Sequence, residues 1–193
     1  MNICHRLFMG ATVVLAMGCS QDIKSEALAS ERSTSEKMEM TKITEAAVVA
    51  VQKKWGEGIV AIAKVHSDGG DYIARATEHI NTLYAYGETP VMFKPTLAAE
   101  DQFRETFEGA LSYFVGAEGT EDSGFAIKGW TNVRWESNGI YTNEVSATAM
   151  GNYYFTGPDG SETKVEYSFG YVLDDEGDLK INLHHSSLPY SPE

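Results

Sequence analysis

Cysteine is almost absent from this chain of 193 residues. Its two copies, Cys4 and Cys19, both lie near the N-terminus, so the rest of the chain can form neither an internal disulfide nor a cysteine-ligated zinc cage. Basic residues are scarce as well: 15 Lys and Arg stand against 28 Asp and Glu, and the formal net charge is −13. A surface this acidic repels phosphate backbones. The composition therefore argues against nucleic-acid partners, DNA included.

The apolar run near the N-terminus is too short to span a bilayer as a helix. It covers residues 7–17, whereas a spanning helix needs about 20 residues. A short basic segment precedes the run and small residues end it, which is typical of a secretory signal peptide. Gly18-Cys19 also resembles the lipobox of bacterial lipoproteins, although Leu15 lies one position early. We expect residues 1–19 to be a signal peptide, of the ordinary or the lipoprotein type. Export to the bacterial periplasm follows, with a lipid anchor to the membrane on Cys19 in the second case.

Residues 20–42 are rich in Ser, Glu and Lys and almost free of aromatic side chains. Such a segment buries too little apolar area to offset its ordering entropy, so we expect a flexible tether. The remainder has ordinary globular composition and is long enough for one sizeable core. One domain is expected over residues 43–190, followed by a short tail at 191–193.

Three segments of this domain show apolar side chains at spacings of three and four, which indicates amphipathic helices. The first begins at a cap, Thr41 or Thr44, and runs to about His66. The second is capped by Asp71. The third, residues 99–115, is expected to bury one face made of Phe103, Phe107, Ala110, Leu111 and Phe114.

The hydrophobic period changes to two after the third helix, which predicts an antiparallel meander of four strands. The strands are expected at residues 125–136, 140–156, 163–173 and 179–187. Ser137-Asn138-Gly139 is the predicted turn between the first two, and residues 91–93 predict an additional short strand before the third helix. The order α-α-β-α-β-β-β-β is α+β and is similar to that of the nuclear-transport-factor-2-like superfamily. In that cone-shaped fold, a curved sheet wraps a helix and leaves a pocket at the wide end. Such a fold hosts many functions.

Two hydroxyl side chains lie near the ends of predicted elements. Thr96 follows Pro95, which fixes the exit of the chain from the short strand. It is either a helix cap or a hydroxyl aimed into the pocket. Tyr113 lies beside the apolar face of the third helix, where tyrosine commonly buries its ring and sends its hydroxyl to a partner. Each residue is therefore a candidate with an ordinary structural alternative.

The last predicted strand ends in four polar residues, 184–187, with the sequence His-His-Ser-Ser. Strict alternation from the apolar residues upstream places His185 and Ser187 on the core face. His184 and Ser186 then face the other side. Imidazoles transfer protons near neutral pH, so His185 is a candidate base, with a structural role as the alternative. Adjacent imidazoles on opposite faces cannot easily share one metal ion, and the chain has no zinc-protease helix or phosphate-binding loop motif.

Five motifs in this order resemble the iota-class carbonic anhydrases: FKPT at 93–96, LSYFVG at 111–116, AMGNY at 149–153, VEYSFGY at 165–171 and LHHSSLPY at 183–190. The resemblance covers about residues 43–190. It implies reversible hydration of CO2 to bicarbonate on the fold of the calmodulin-dependent kinase II association domain. Some members are metal-free and others are described with zinc or manganese, and the poor ligand spacing here favours the metal-free form. A homodimer formed through the sheet, common in the superfamily, is also expected.

The family's bicarbonate-binding threonine, tyrosine and serine fall on Thr96, Tyr113 and Ser187. Ser186 is the less favoured serine because of the strand alternation. The residues expected to bind substrate are therefore Thr96, Tyr113, Ser187, Ser186, Phe93 and Lys94, and His185 is expected to accept the proton.

Two other classes of function stay open. A ketosteroid-isomerase-like or polyketide-cyclase-like enzyme would need a pocket Asp or Glu, and no acidic residue lies clearly on a predicted core face. A non-catalytic association module would hold a small ligand in an oligomer without turning it over. Assay of CO2 hydration separates both from a carbonic anhydrase.

Overall fold

The computed structural model describes residues 43–192. The predicted signal peptide, Cys19 and the predicted tether lie outside the described residues. Within the described range, no helix combines the length and apolar character needed to cross a membrane.

The described part of the chain forms three α-helices and five strands, with a 3-10 turn at Phe125–Ile127. The helices are α1 (Glu45–Ser67), α2 (Tyr72–Leu83) and α3 (Phe107–Val115). The strands are β1 (Met92–Lys94), β2 (Asn132–Thr142), β3 (Ser146–Thr156), β4 (Glu162–Leu173) and β5 (Leu179–Ser187). This order confirms the predicted α+β class.

The five strands form one sheet in the order β1-β5-β4-β3-β2. Only β1 and β5 run parallel, and the other neighbours are antiparallel. The parallel pair sets Phe93 opposite His184 and Lys94 opposite His185. The chain that leaves β1 therefore continues beside the end of β5, which brings Thr96 next to Ser186.

The predicted helix starts are confirmed by their capping hydrogen bonds. The Thr44 hydroxyl accepts from the backbone N–H of Ala47, and the Asp71 carboxylate accepts from that of Ala74. Along α1, apolar side chains at helical spacing are fully buried against the sheet, Trp55 among them. The inner face of the sheet is the face that packs against the helices. It contributes the alternating residues Val165, Tyr167, Phe169 and Tyr171, all buried as their period of two predicts. We call the face of the sheet away from the helices the outer face.

The prediction of helix from residue 99 is wrong. Helix α3 begins at Phe107, and the Thr106 hydroxyl caps it by accepting from the Gly109 N–H. Phe103, expected in the core, is 57% exposed. The cause is competition for backbone donors, because the Arg104 N–H donates to the Phe93 carbonyl at 2.8 Å instead of to a helical partner.

The prediction of a turn at Ser137-Asn138-Gly139 is also wrong. Strand β2 continues through this segment to Thr142 with a shift in register, so Asn138 forms a bulge. The turn lies after Asn143, whose side-chain oxygen accepts from the N–H groups of Val145 and Ser146, both at 2.9 Å. The residues before Asn132, expected as strand, form the 3-10 turn and a loop.

Strand β5 carries one residue more than its partner β4. Gly170 pairs with Leu183, and the next residue, Tyr171, pairs with Ile181. Asn182 is therefore left as a bulge, and every side chain beyond it changes face.

This bulge corrects the prediction for the end of the strand. His184 and Ser186 are 2% and 4% exposed and lie on the inner face. His185 is exposed and Ser187 only half-buried. The expectation that His185 and Ser187 face the core is wrong, because strict alternation does not allow for an extra residue.

Candidate active site

A small cavity lies between α1, α3 and the inner face of the sheet. Its volume is about 10 Å³, roughly the room that one water molecule needs, and far below the roughly 300–1,000 Å³ of sites that hold drug-sized ligands. The lining residues are Trp55, Phe93, Thr96, Tyr113, Phe114, Phe125, Tyr153, Phe155, His184 and Ser186. Aromatic side chains dominate this list, and a few hydroxyls and one imidazole supply the polar atoms. The cavity therefore suits a very small molecule.

His184 is held between two phenyl rings at the back of the cavity. Its ring stacks on Phe93 at 4.6 Å between centroids and on Phe169 at 4.1 Å. Burial above all, together with the positive charges that His185 and His79 would carry, lowers the pKa of His184 from 6.5 to about 3. The imidazole is therefore neutral at pH 7.

Both nitrogens of this ring reach tyrosine hydroxyls. Nδ1 lies 2.8 Å from the Tyr84 oxygen, and Nε2 lies 3.3 Å from the Tyr153 oxygen. The indole N–H of Trp55 donates to the same Tyr84 oxygen at 2.9 Å. Burial raises the pKa of Tyr84 and of Tyr153, so both stay protonated. The result is a chain of polar groups that runs from Trp55 to the cavity wall.

Two more hydroxyls face this chain from the segment after β1 and from β5. The Thr96 hydroxyl donates to the Ser186 oxygen at 2.9 Å, which leaves the Ser186 proton free to point elsewhere. Ser186 and Tyr153 line the same cavity. The Ser186 hydroxyl can therefore donate to an anion in the cavity, and the Thr96 hydroxyl can do so once its proton turns from the Ser186 oxygen towards the anion.

Tyr113 completes the polar wall from helix α3. Burial raises the pKa of Tyr113 to about 12, while the nearby backbone N–H groups of Leu97 and Thr96 act in the opposite direction. The phenol is therefore a donor at neutral pH. Its ring stacks on Phe125 at 5.6 Å, which fixes its direction.

The structure brings together four of the residues that the sequence suggested: Phe93, Thr96, Tyr113 and Ser186. The other three, Lys94, His185 and Ser187, do not line the cavity. Lys94 donates to the Pro95 carbonyl at 3.2 Å. The Ser187 hydroxyl donates to the Glu166 carboxylate at 3.2 Å, and His185 lines an open groove on the outer face.

Sequence reasoning missed Trp55, Tyr84, Tyr153 and His184 as site residues. Tyr153 was detectable, because it alternates with the core residue Phe155. His184 would have been found had the bulge at Asn182 been recognised. Trp55 and Tyr84 follow ordinary core patterns, and nothing local in the sequence marks them.

The donor set of the cavity does not fit a divalent metal ion. Its one imidazole has tyrosine hydroxyls at both nitrogens, and none of the described carboxylates lines the cavity. Within residues 43–192, three side chains that could share an ion come together only at Asp174, Glu176 and Asp178. These lie in the turn between β4 and β5 and do not line the cavity. Zinc and manganese prefer nitrogen, sulfur or carboxylate ligands, which hydroxyls do not replace.

Comparison with known proteins places this geometry in a family. A family model described as metal-independent carbonic anhydrase matches residues 46–188. The chain belongs to the metal-independent carbonic anhydrase family. A carbonic anhydrase of the same description from Nostoc sp. (strain PCC 7120 / SAG 25.82 / UTEX 2576) is 43% identical over 153 residues. That match covers 77% of this chain and 75% of the relative.

Solved structures agree with membership of the metal-independent carbonic anhydrases. The crystal structure of a cyanobacterial iota-carbonic anhydrase complexed with bicarbonate is 41% identical, with a TM-score of 0.76. The match covers 79% of this chain and 96% of the other. A putative calcium/calmodulin-dependent protein kinase II association domain from Xanthomonas campestris has a TM-score of 0.54 at 20% identity, over 79% of this chain and 97% of its own length. This second likeness concerns the fold alone. Together the matches confirm the iota-class resemblance and the predicted fold.

Proposed function

We propose that this member of the family hydrates CO2 reversibly to bicarbonate and a proton, without a metal ion. The observation that carries the proposal is the small aromatic cavity in which three hydroxyls, on Thr96, Tyr113 and Ser186, face a neutral imidazole. The family description, metal-independent carbonic anhydrase, supports the same reaction.

The hydroxyls supply the electrostatic part of catalysis. As water attacks the carbon of CO2, negative charge develops on the two CO2 oxygens. Donors held in place around these oxygens stabilise that charge, and they act more strongly in a cavity with little water. Thr96, Tyr113 and Ser186 lie on three different elements, so the fold fixes their relative positions before the substrate arrives.

His184 supplies the base, acting through Tyr153. The Tyr84 oxygen has two lone pairs and can accept both the Trp55 N–H and an Nδ1–H, which leaves the Nε2 lone pair facing Tyr153. The attacking water then gives its proton to the Tyr153 oxygen while the Tyr153 proton passes to Nε2. The products are bicarbonate and an imidazolium, and the relay runs backwards to release the proton after bicarbonate leaves.

The low pKa of His184 fits this sequence of events. Before bicarbonate forms, nothing compensates the imidazolium charge, so burial lowers the pKa to about 3. A bicarbonate anion beside the ring favours the charged form and raises the pKa again. The base therefore becomes stronger as the new C–O bond forms.

Removing single donors tests the proposal. We expect Thr96→Val and Tyr113→Phe each to lower kcat/KM for CO2 hydration by about 100- to 1,000-fold, in line with the loss of one oxyanion donor. Tyr190→Phe, at a largely exposed tyrosine, is the matched control and keeps wild-type activity. Stopped-flow hydration with a pH indicator measures the rates. Wild-type rates in both site variants would contradict the proposed site, and an inactive wild type would favour a non-catalytic association module.

We also propose a homodimer formed through the outer face of the sheet. Tyr141 and Met150 are 68% and 56% exposed there and line the same groove, and adjoining exposed apolar side chains are a common mark of an interface. The similar structure from Xanthomonas campestris, described as an association domain, supports an oligomer on this fold. Sedimentation of the wild type should give a dimer, and Met150→Glu a monomer. A monomeric wild type at micromolar concentration would contradict the proposal.

For the N-terminal segment, we propose export to the periplasm and a lipid anchor on Cys19, on the sequence pattern alone. Mass spectrometry of the protein purified from its own cells gives the mature N-terminus. A diacylglyceryl cysteine at position 19 supports the anchor. A mature chain beginning elsewhere contradicts it.

A further inference from the structure

The segment between β1 and α3, residues 95–106, carries Thr96 into the cavity although it has no regular secondary structure. Its backbone donors therefore need other acceptors, because an unpaired backbone N–H that leaves water costs free energy. Three of them find their acceptor in a second loop, the one that follows α3.

Glu121 in that second loop binds three consecutive backbone N–H groups. Its carboxylate accepts from Ala99 at 2.9 Å, from Glu100 at 3.1 Å and from Asp101 at 3.0 Å. These donors lower the pKa of Glu121, so the side chain is ionised at neutral pH. One carboxylate thus fixes the segment three residues beyond Thr96.

Arg104 ties the far end of the same segment to the same loop. Its side chain is 2% exposed, and its guanidinium donates to the Asp122 carboxylate at 2.7 Å. The second Asp122 oxygen accepts from the Ser112 hydroxyl at 2.6 Å, and Ser112 precedes Tyr113 in α3. The main chain of Arg104 is also fixed, because its carbonyl accepts from the Tyr86 hydroxyl at 2.7 Å.

We propose that Glu121, Asp122 and Arg104, here called the clasp, are positioning residues that hold Thr96 and Tyr113 at their catalytic separation. This rests on the proposed function. The two hydroxyls come from different elements, one from an irregular segment and one from α3, and within the described residues the clasp joins those elements through charged hydrogen bonds. Misplacing a donor by about 1 Å can cost about 100-fold in rate. None of the three clasp side chains lines the cavity, so they act only through the residues they hold.

The experiment compares Glu121→Gln with Glu118→Gln, an exposed glutamate in the same loop. The amide introduced by Glu121→Gln would set an NH2 group against a backbone N–H. We expect the rate of amide hydrogen exchange at residues 97–101 to rise about tenfold, while exchange in the strands stays at the wild-type rate. We also expect kcat/KM for CO2 hydration to fall about fivefold or more. Glu118→Gln should keep wild-type exchange and activity.

Asp122→Asn tests the other half of the clasp. Glu121→Asp keeps the negative charge and should therefore retain part of the activity that Glu121→Gln loses. Quickened exchange in Glu121→Gln with kcat/KM within twofold of the wild type would overturn the positioning role, and so would unchanged exchange. A wild type that does not hydrate CO2 would instead overturn the proposed function and with it this inference. The exchange data would still show whether the clasp holds the segment.

Discussion

At the scale of single residues, His184 combines two environments in one ring. Its faces contact phenyl rings, which exclude water, while its edges contact tyrosine hydroxyls. Removal of water disfavours the imidazolium, and the hydroxyls keep the neutral ring hydrogen-bonded. The imidazole therefore stays neutral until an anion forms beside it.

Substitutions of Ser186 and its neighbour Ser187 form a matched pair that tests which of the two serines lies on the inner face of the sheet. Ser186→Ala removes a hydroxyl from the cavity, so kcat/KM for hydration should fall about 100- to 1,000-fold. Ser187→Ala removes a hydroxyl that donates to Glu166 on the outer face, so activity should stay within about twofold, as for most exposed substitutions. Stopped-flow assays of CO2 hydration measure kcat/KM for both variants. A larger loss in Ser187→Ala would show that the bulge is misplaced.

At the scale of secondary structure, the bulge at Asn182 decides which imidazole enters the cavity. Gly170, which pairs with Leu183 next to the bulge, has no room for a side chain: an added Cβ would lie 2.8 Å from the Leu183 Cβ and 3.1 Å from the Asn182 side-chain oxygen. Glycine at 170 therefore allows the close approach of the two strands at the bulge.

Gly170→Ala should consequently destabilise the protein by about 1–3 kcal/mol, the usual cost of overpacking a buried site. Gly139→Ala is the control, since nothing lies within 4 Å of its added Cβ. Urea unfolding, followed by circular dichroism, measures both. Equal midpoints for the two variants would contradict the close packing at the bulge.

Elements with local signals could be predicted, and those that depend on distant partners could not. The caps at Thr44 and Asp71 and the alternation in β4 follow from neighbouring residues. The segment before α3 is held outside the helix by contacts with residues elsewhere in the chain, such as Glu121. The local apolar spacing therefore predicted too early a start for this helix. In the site, Thr96 and Tyr113 were candidates through the family resemblance and both line the cavity, whereas the position of His184 depends on the bulge.

At the scale of the whole molecule, two buried histidines couple folding to pH. Burial lowers the pKa of His184 and of His79 from 6.5 to about 3. Between these values the unfolded chain binds protons that the folded chain does not, so stability is full above pH 6.5 and is lost as the pH falls towards 3.

We therefore expect the free energy of unfolding to fall between pH 7 and pH 5, with a slope approaching about 1.4 kcal/mol per pH unit for each histidine. Urea titrations across this range measure the slope. His79→Phe should reduce it, and His185→Gln, at an exposed position, is the control. A free energy that does not change from pH 7 to pH 5 would show that neither imidazole is kept neutral by the fold.

In the mechanism that we propose, hydroxyls and one imidazole of this protein hydrate CO2 without a metal ion. Stopped-flow hydration of CO2 after exhaustive chelation, with metal content checked by mass spectrometry, tests this mechanism. The metal-free wild type should keep its full rate, and Thr96→Val should lose most of that rate under the same conditions. Activity that disappears with the metal and returns with zinc or manganese would rule the mechanism out.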